Sequence, residues 1–76
     1  MRKAVDQDAL QTLVGTGAMW GFRAVSKGEG WSIQGCIGAN WLPVRSRREL
    51  VRIWASLTAV ERFAAGVGIR EFSVEL

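Results

Sequence analysis

Four arginines form the clearest candidate for binding chemistry in this sequence. They are Arg45, Arg47, Arg48 and Arg52, and Glu49 is the one acidic residue among them. The planar guanidinium group matches the geometry of phosphate oxygens, and every neutralised phosphate releases counterions. This basic segment therefore predicts contact with DNA or RNA. The alternative is a solvated sheet edge, whose charges prevent pairing with a foreign strand.

The excess positive charge of the chain lies in that segment. The formal net charge is +3 at pH 7, and residues 41–55 alone carry four arginines against one glutamate. The chain therefore has one short basic stretch and no general basic surface.

Four tryptophans are a second unusual feature of a 76-residue chain. One buried tryptophan covers on the order of 200 Å², so a core this small has difficulty enclosing four. We predict that Trp20, Trp41 and Trp54 lie at a protein interface, where tryptophan is enriched. Core packing is the alternative, and base stacking is another for Trp41 and Trp54, which stand close to the arginines in sequence.

The composition argues against catalysis. The chain has no histidine, no tyrosine and a single cysteine, Cys36. Histidine-dependent triads, cysteine–histidine pairs and most transition-metal sites are thereby excluded. The glycine pairs, such as Gly28 and Gly30, lack the spacing of a nucleotide-binding loop. We expect no enzyme activity, no cofactor and no metal, and we expect Cys36 to be a small, partly buried thiol. A disulfide linking two copies is the other possibility for Cys36, and a reducing compartment disfavours it.

The length predicts one domain spanning residues 1–76. The basic start is interrupted by Asp6 and Asp8 before any apolar stretch, which is not the pattern of a signal peptide. No run approaches the roughly 18 apolar residues of a membrane span. We therefore expect a cytoplasmic protein with no membrane contact.

The first half of the chain predicts a helix followed by a β-hairpin. Asp6 caps a helix over about residues 6–14, and the glycines of residues 15–17 end it. Residues 18–25 then alternate, with an apolar set that predicts the core side of a strand: Ala18, Trp20, Phe22 and Ala24. A glycine-rich connection at residues 27–30 leads into a second strand over 31–38.

The second half predicts a short strand, a helix and a final strand. Residues 41–44 begin a third strand in which Pro43 marks an edge or a bend. Residues 41–54 form either one bent strand or two segments, with the break near residues 45–47. Ser56 caps a helix over about 57–67, with Thr58 as an alternative cap, and Gly68 ends it. Residues 70–76 alternate as a strand, and a right-handed crossover follows if this strand and 48–54 lie parallel in one sheet.

These elements give the order α-β-β-β-α-β, a small single α+β domain. Its sheet is mostly antiparallel, with the helices packed on one face. A single cysteine and the absence of histidine exclude an intrachain disulfide and a zinc site. Dense packing or self-association must therefore stabilise so short a chain.

Several stretches resemble the small ParC-like, partition-associated proteins of bacterial plasmids and integrative elements. The matching residues are Trp31-Ser32-Ile33, the segment at 51–59, Phe63, Gly68-Ile69, Phe72 and Val74. Trp54 stands where that family has phenylalanine, Thr58 where it has aspartate, and Val67 where leucine is common. The resemblance implies an accessory role in plasmid DNA maintenance and carries over no catalytic residue.

The sequence therefore predicts a non-enzymatic accessory protein that acts through protein–protein association, as a homodimer or with a protein of the partition machinery. Direct DNA or RNA binding through the basic segment is the alternative function.

Overall fold

The computed structural model describes residues 4–76, and its elements have the predicted order α-β-β-β-α-β. The basic start at residues 1–3 lies outside the described residues. The elements are α1 (Gln7–Thr16), β1 (Gly21–Lys27), β2 (Gly30–Ile37), β3 (Asn40–Pro43), α2 (Leu57–Val67) and β4 (Ser73–Glu75). Among residues 4–76, no helix has the length and hydrophobicity needed to cross a bilayer.

The predicted caps set the ends of both helices. The N–H of Ala9 donates to Asp6 Oδ1 at 2.8 Å, and the N–H of Ala59 donates to Ser56 Oγ at 3.1 Å. Helix α1 ends at Gly17 with φ of 79°, so it runs to Thr16, beyond the predicted residue 14. Helix α2 ends at Gly68 with φ of 94°, where the Ile69 N–H donates to the Ala64 carbonyl, as in a Schellman motif.

Two tight turns join the first three strands into an antiparallel meander. Gly28 has φ of 61° and Gly38 has φ of 60°. A type II′ turn needs such a positive φ at its first central residue, and glycine adopts it without strain. The first turn pairs Lys27 with Gly30 and thereby aligns Arg23 with Gln34.

The final strand closes the sheet on the side opposite to β3. The strand order is β3-β2-β1-β4, with β4 parallel to β1. Residues 48–54 form no strand, and Trp54 makes only an isolated antiparallel bridge to Trp31. The expected crossover between 48–54 and 70–76 is therefore wrong, because the parallel partner of β4 is β1.

The helices cover one face of the sheet, and the hydrophobic core lies between the helices and that face. The core brings together Leu10 of α1, Val60 and Ala64 of α2, and Ala24 and Ile33 of the sheet. We call the other surface of the sheet the open face; by strand alternation it carries Arg23, Gln34 and Cys36.

The predicted core side of the first strand is only partly correct. Ala24 is buried, but Ala18 is exposed and Trp20 is 67% exposed, whereas Met19 is 2% exposed. The alternation fails here because β1 begins only at Gly21. Met19 still belongs to the turn after α1, where its N–H donates to the Leu13 carbonyl at 3.2 Å.

Candidate interaction surfaces

The four predicted arginines lie on the loop between β3 and α2. The loop is held by its own hydrogen bonds: Arg52 N–H donates to the Val44 carbonyl at 2.9 Å, and Ser46 N–H to the Glu49 carbonyl at 3.0 Å. The Glu49 N–H also donates to Ser46 Oγ at 3.1 Å. The arginines are therefore presented by an ordered turn.

Three of these arginines line one cleft of about 570 Å³, which we call the arginine cleft. Arg45, Arg47 and Arg52 face it from the loop, and Asp6 and Asp8 face it from the start of α1. Arg48 is exposed and is not among the lining residues. The two carboxylates leave the cleft with only one excess positive charge, which weakens its attraction for a polyanion.

Two of the arginines also have structural contacts. The guanidinium carbon of Arg52 lies 4.7 Å from the centroid of the Trp54 ring and 5.2 Å from that of Phe63. The Arg45 Nε–H donates to the Ser46 carbonyl at 3.2 Å. Arg47 and Arg48 are the two exposed arginines of the basic segment.

Trp54 is a core residue and does not lie at an exposed interface. Its side chain is 6% exposed, and its ring centroid lies 4.9 Å from that of Phe63. Its backbone exchanges two hydrogen bonds of 2.8 Å with Trp31. The Trp54 ring therefore packs beneath the Arg52 guanidinium group. Because the ring is buried, a nucleic-acid base cannot stack on it.

Trp20 and Trp41 are the exposed tryptophans, and they meet at one groove. Trp20 is 67% exposed and Trp41 is 37% exposed. The groove encloses about 510 Å³ and is lined by four aromatic side chains, those of Trp20, Phe22, Trp41 and Phe72, together with Glu71. We call it the tryptophan groove. Phe22 and Phe72 meet there because β1 and β4 are parallel neighbours.

Trp41 reaches across the open face of the sheet. Its Cη2 atom lies 3.4 Å from the position that a Cβ atom on Gly21 would occupy, so its ring extends from β3 to the start of β1. Cys36 is 4% exposed and its Sγ lies 3.5 Å from the Gly38 carbonyl oxygen. The residues described in this structure include no cluster of three or more acidic or cysteine side chains able to hold a metal ion.

Arg23 is the residue of this surface that the sequence prediction missed. Its Nε–H donates to Gln34 Oε1 at 2.6 Å, and its Nη1 lies 3.2 Å from Glu75 Oε2. The two-residue turn at residues 28–29 would have given the alignment of Arg23 with Gln34. No local signal places Glu75 or Phe72 here, because the pairing of β4 with β1 is long-range.

Comparisons with protein-family models, with curated proteins and with solved structures find no match to this chain. The resemblance to ParC-like proteins therefore stays a prediction.

Proposed function

We propose that this chain is a non-enzymatic accessory protein that acts through protein–protein association, as a homodimer, and that the tryptophan groove belongs to its contact surface. The observation that carries the proposal is the 67% exposure of Trp20 beside a groove lined by three further aromatic rings.

The physical support is the cost of leaving these rings in water. Tryptophan is among the residues that contribute most to binding when a partner desolvates it, and such residues cluster in concave, well-packed pockets. The other two tryptophans show the contrast: Trp54 is buried and Trp31 is half-buried within the chain. Trp20 and Trp41 are therefore the rings that a second protein can still cover.

The proposed setting is plasmid or mobile-element DNA maintenance. Its support is the family resemblance carried by the segment at 51–59 and by Phe63, Phe72 and Val74. In this setting the chain would associate with a second copy or with a protein of the partition machinery, and it would carry no catalytic step.

Sedimentation velocity at increasing protein concentration tests the association. We expect the weight-average sedimentation coefficient of the native protein to rise from monomer to dimer. The Trp20→Ser variant should raise the dissociation constant of the dimer by about 1,000-fold, because loss of an interface tryptophan typically costs about 2 kcal/mol and each dimer loses two.

Arg48→Ala is the matched control, since Arg48 is exposed and lies outside the groove. Its dissociation constant should equal that of the native protein. A native chain that stays monomeric at every concentration, or a Trp20→Ser variant that associates as tightly as the native protein, contradicts the proposal.

A second candidate function is direct nucleic-acid binding, favoured by the convergence of Arg45, Arg47 and Arg52 on the arginine cleft. Fluorescence anisotropy with a labelled duplex at several salt concentrations tests it. If it holds, affinity falls with salt, and replacing both Arg45 and Arg47 by alanine lowers the salt slope by about 2. Undetectable binding at low ionic strength excludes it.

A further inference from the structure

We propose that the homodimer forms by antiparallel pairing of β4 with β4 of a second copy, with Val74 on the two-fold axis, so that one continuous sheet runs through both copies. This inference rests on the proposed function, because it names the partner as a second copy of this chain and names the strand that joins them.

The sheet has two edges, and the one at β3 is covered at its Pro43 end. Pro43 has no N–H to donate, and its carbonyl accepts a hydrogen bond from the Val5 N–H at 3.0 Å. The Arg45 N–H returns a bond of 2.8 Å to the Val5 carbonyl, which forms a parallel bridge beside β3. Proline and a covering segment are two of the ways in which proteins protect a sheet edge.

The edge at β4 presents unpaired backbone groups. On β2, the backbone groups of Trp31 and Ile33 form hydrogen bonds on the side away from β1. The backbone groups of the alternate residues, Ser32 and Gln34, therefore point towards β1 and pair with it. Ladder alternation then directs the backbone of Ala24 towards β4. Val74 is aligned with Ala24 in this parallel pair, and its own N–H and C=O therefore point outwards.

The sequence of β4 selects one register for pairing with itself. With Val74 opposite Val74 of the other copy, Phe72 lies opposite Leu76 and Ser73 lies opposite Glu75. Apolar residues then meet on one face and polar residues on the other. Two alternatives are equally near and keep the outward groups paired. One sets Phe72 opposite Val74 and Glu71 opposite Glu75, and the other sets Val74 opposite Leu76 and Glu75 opposite Glu75, so each brings like charges together.

The exposure of β4 agrees with that register. Val74 is 46% exposed, and Leu76, which follows β4 and continues its apolar alternation, is fully exposed. Pairing would cover them with their own counterparts. On the open face each Glu75 enters with its positive partner, since Arg23 Nη1 lies 3.2 Å from its carboxylate.

The same pairing connects the strand edge to the tryptophan groove. Phe72 lines that groove, and the parallel alignment of Arg23 with Ser73 sets Phe22 beside Phe72. Leu76 of the second copy, opposite Phe72, would lie at this end of the groove, towards Trp20. The two exposed apolar features thus belong to one interface.

Cysteine cross-linking tests the register. In the proposed pair the two Val74 Cα atoms are about 5.5 Å apart, which is within the range of a disulfide. Under mild oxidation the Val74→Cys variant should form a covalent dimer within minutes. Ser73→Cys and Leu50→Cys should cross-link at least tenfold more slowly. Leu50 is 65% exposed on the loop and measures random collision, and the native protein controls for Cys36.

Sedimentation of Val74→Lys and Val74→Thr tests the contribution of the strand to affinity. The lysine should weaken dimerisation at least tenfold, because it places two like charges on the axis, whereas threonine should change it less than threefold. Far-ultraviolet circular dichroism should show both variants folded.

The outcomes separate this inference from the proposed function. A dimer that tolerates Val74→Lys, and whose Val74→Cys variant cross-links no faster than Leu50→Cys, overturns the β4 interface and leaves the homodimer standing. Faster cross-linking of Ser73→Cys than of Val74→Cys overturns the register. A native protein that is monomeric throughout overturns both.

Discussion

The guanidinium carbon of Arg23 lies 4.1 Å from the centroid of the Trp41 ring. Arg23 is on β1 and Trp41 is on β3, so this contact passes over the strand between them. The same guanidinium group bonds to Gln34 on β2 and to Glu75 on β4. One side chain therefore touches residues of the other three strands and ties the open face of the sheet together.

Replacing Arg23 by alanine should lower the free energy of unfolding by about 1–2 kcal/mol, since it removes a cation–π contact, a part-buried hydrogen bond to Gln34 and an exposed ion pair with Glu75. Urea denaturation at a concentration where the protein is monomeric measures this. Glu75→Gln should cost less than about 1 kcal/mol, because that ion pair is half-exposed. Equal stability of Arg23→Ala and the exposed control Lys27→Ala would contradict the role given to Arg23.

Gly30 should not tolerate a side chain. A Cβ atom there would lie 2.6 Å from the Trp54 carbonyl oxygen, and backbone cannot move aside as a flexible side chain can. Gly30→Ala should therefore destabilise the fold by about 1–3 kcal/mol. Gly66→Ala is the opposite case, because open space surrounds that position in α2, and it should stabilise the fold by about 0.5–1 kcal/mol. Thermal unfolding of both variants decides, and a Gly30→Ala protein of native stability refutes the expectation.

Substitution of buried Trp54 should affect the stability of the fold, whereas substitution of exposed Trp20 should affect association. Trp54→Ala should cost about 3–5 kcal/mol, as expected for a large aromatic side chain in a core. Trp20→Ala should change the stability of the monomer by less than about 0.5 kcal/mol. The comparison must be made at low protein concentration, since association itself stabilises the folded state. A Trp20→Ala monomer as unstable as the Trp54→Ala protein would show that Trp20 is a packing residue.

Cys36 should be protected from thiol reagents in the native protein. Its side chain is 4% exposed beneath the open face, so labelling with a disulfide-exchange reagent should follow the rate of opening and accelerate in urea. The engineered thiol of Leu50→Cys, at a position that is 65% exposed and outside the proposed interface, should label at once under the same conditions. Immediate labelling of native Cys36 would contradict its burial.

The parts of the fold that the sequence predicts well are those with local physical causes. Asp6 and Ser56 cap helices through side-chain oxygens, and Gly17 and Gly68 end them through positive φ angles, all within a few residues. The hairpin follows from Gly28 in the same way. The prediction that Pro43 marks an edge or a bend is confirmed, since Pro43 lies on the edge strand β3.

The parts that the sequence does not predict depend on long-range pairing. The run at residues 48–54 predicts a strand or part of one, but Trp54 alone in it forms a β-bridge, with Trp31. The Arg52 N–H instead bonds back to the Val44 carbonyl within the loop. The tryptophan groove likewise depends on long-range pairing, because the pairing of β1 with β4 brings Phe22 and Phe72 to it. The basic segment was found by composition, yet the two carboxylates of α1 that share its cleft come from tertiary packing.

The parallel pairing of β1 with β4 joins two strands that the ribosome makes at different times. Two hairpin turns and helix α2 are synthesised between these strands, so β1 is complete long before its outer neighbour leaves the ribosome. Until residues 73–75 emerge, the backbone edge of β1 is uncovered, and an uncovered edge readily recruits foreign strands. A chain truncated before residue 73 would still contain the residues of both helices and the meander, but it would lack the strand that covers the edge of β1.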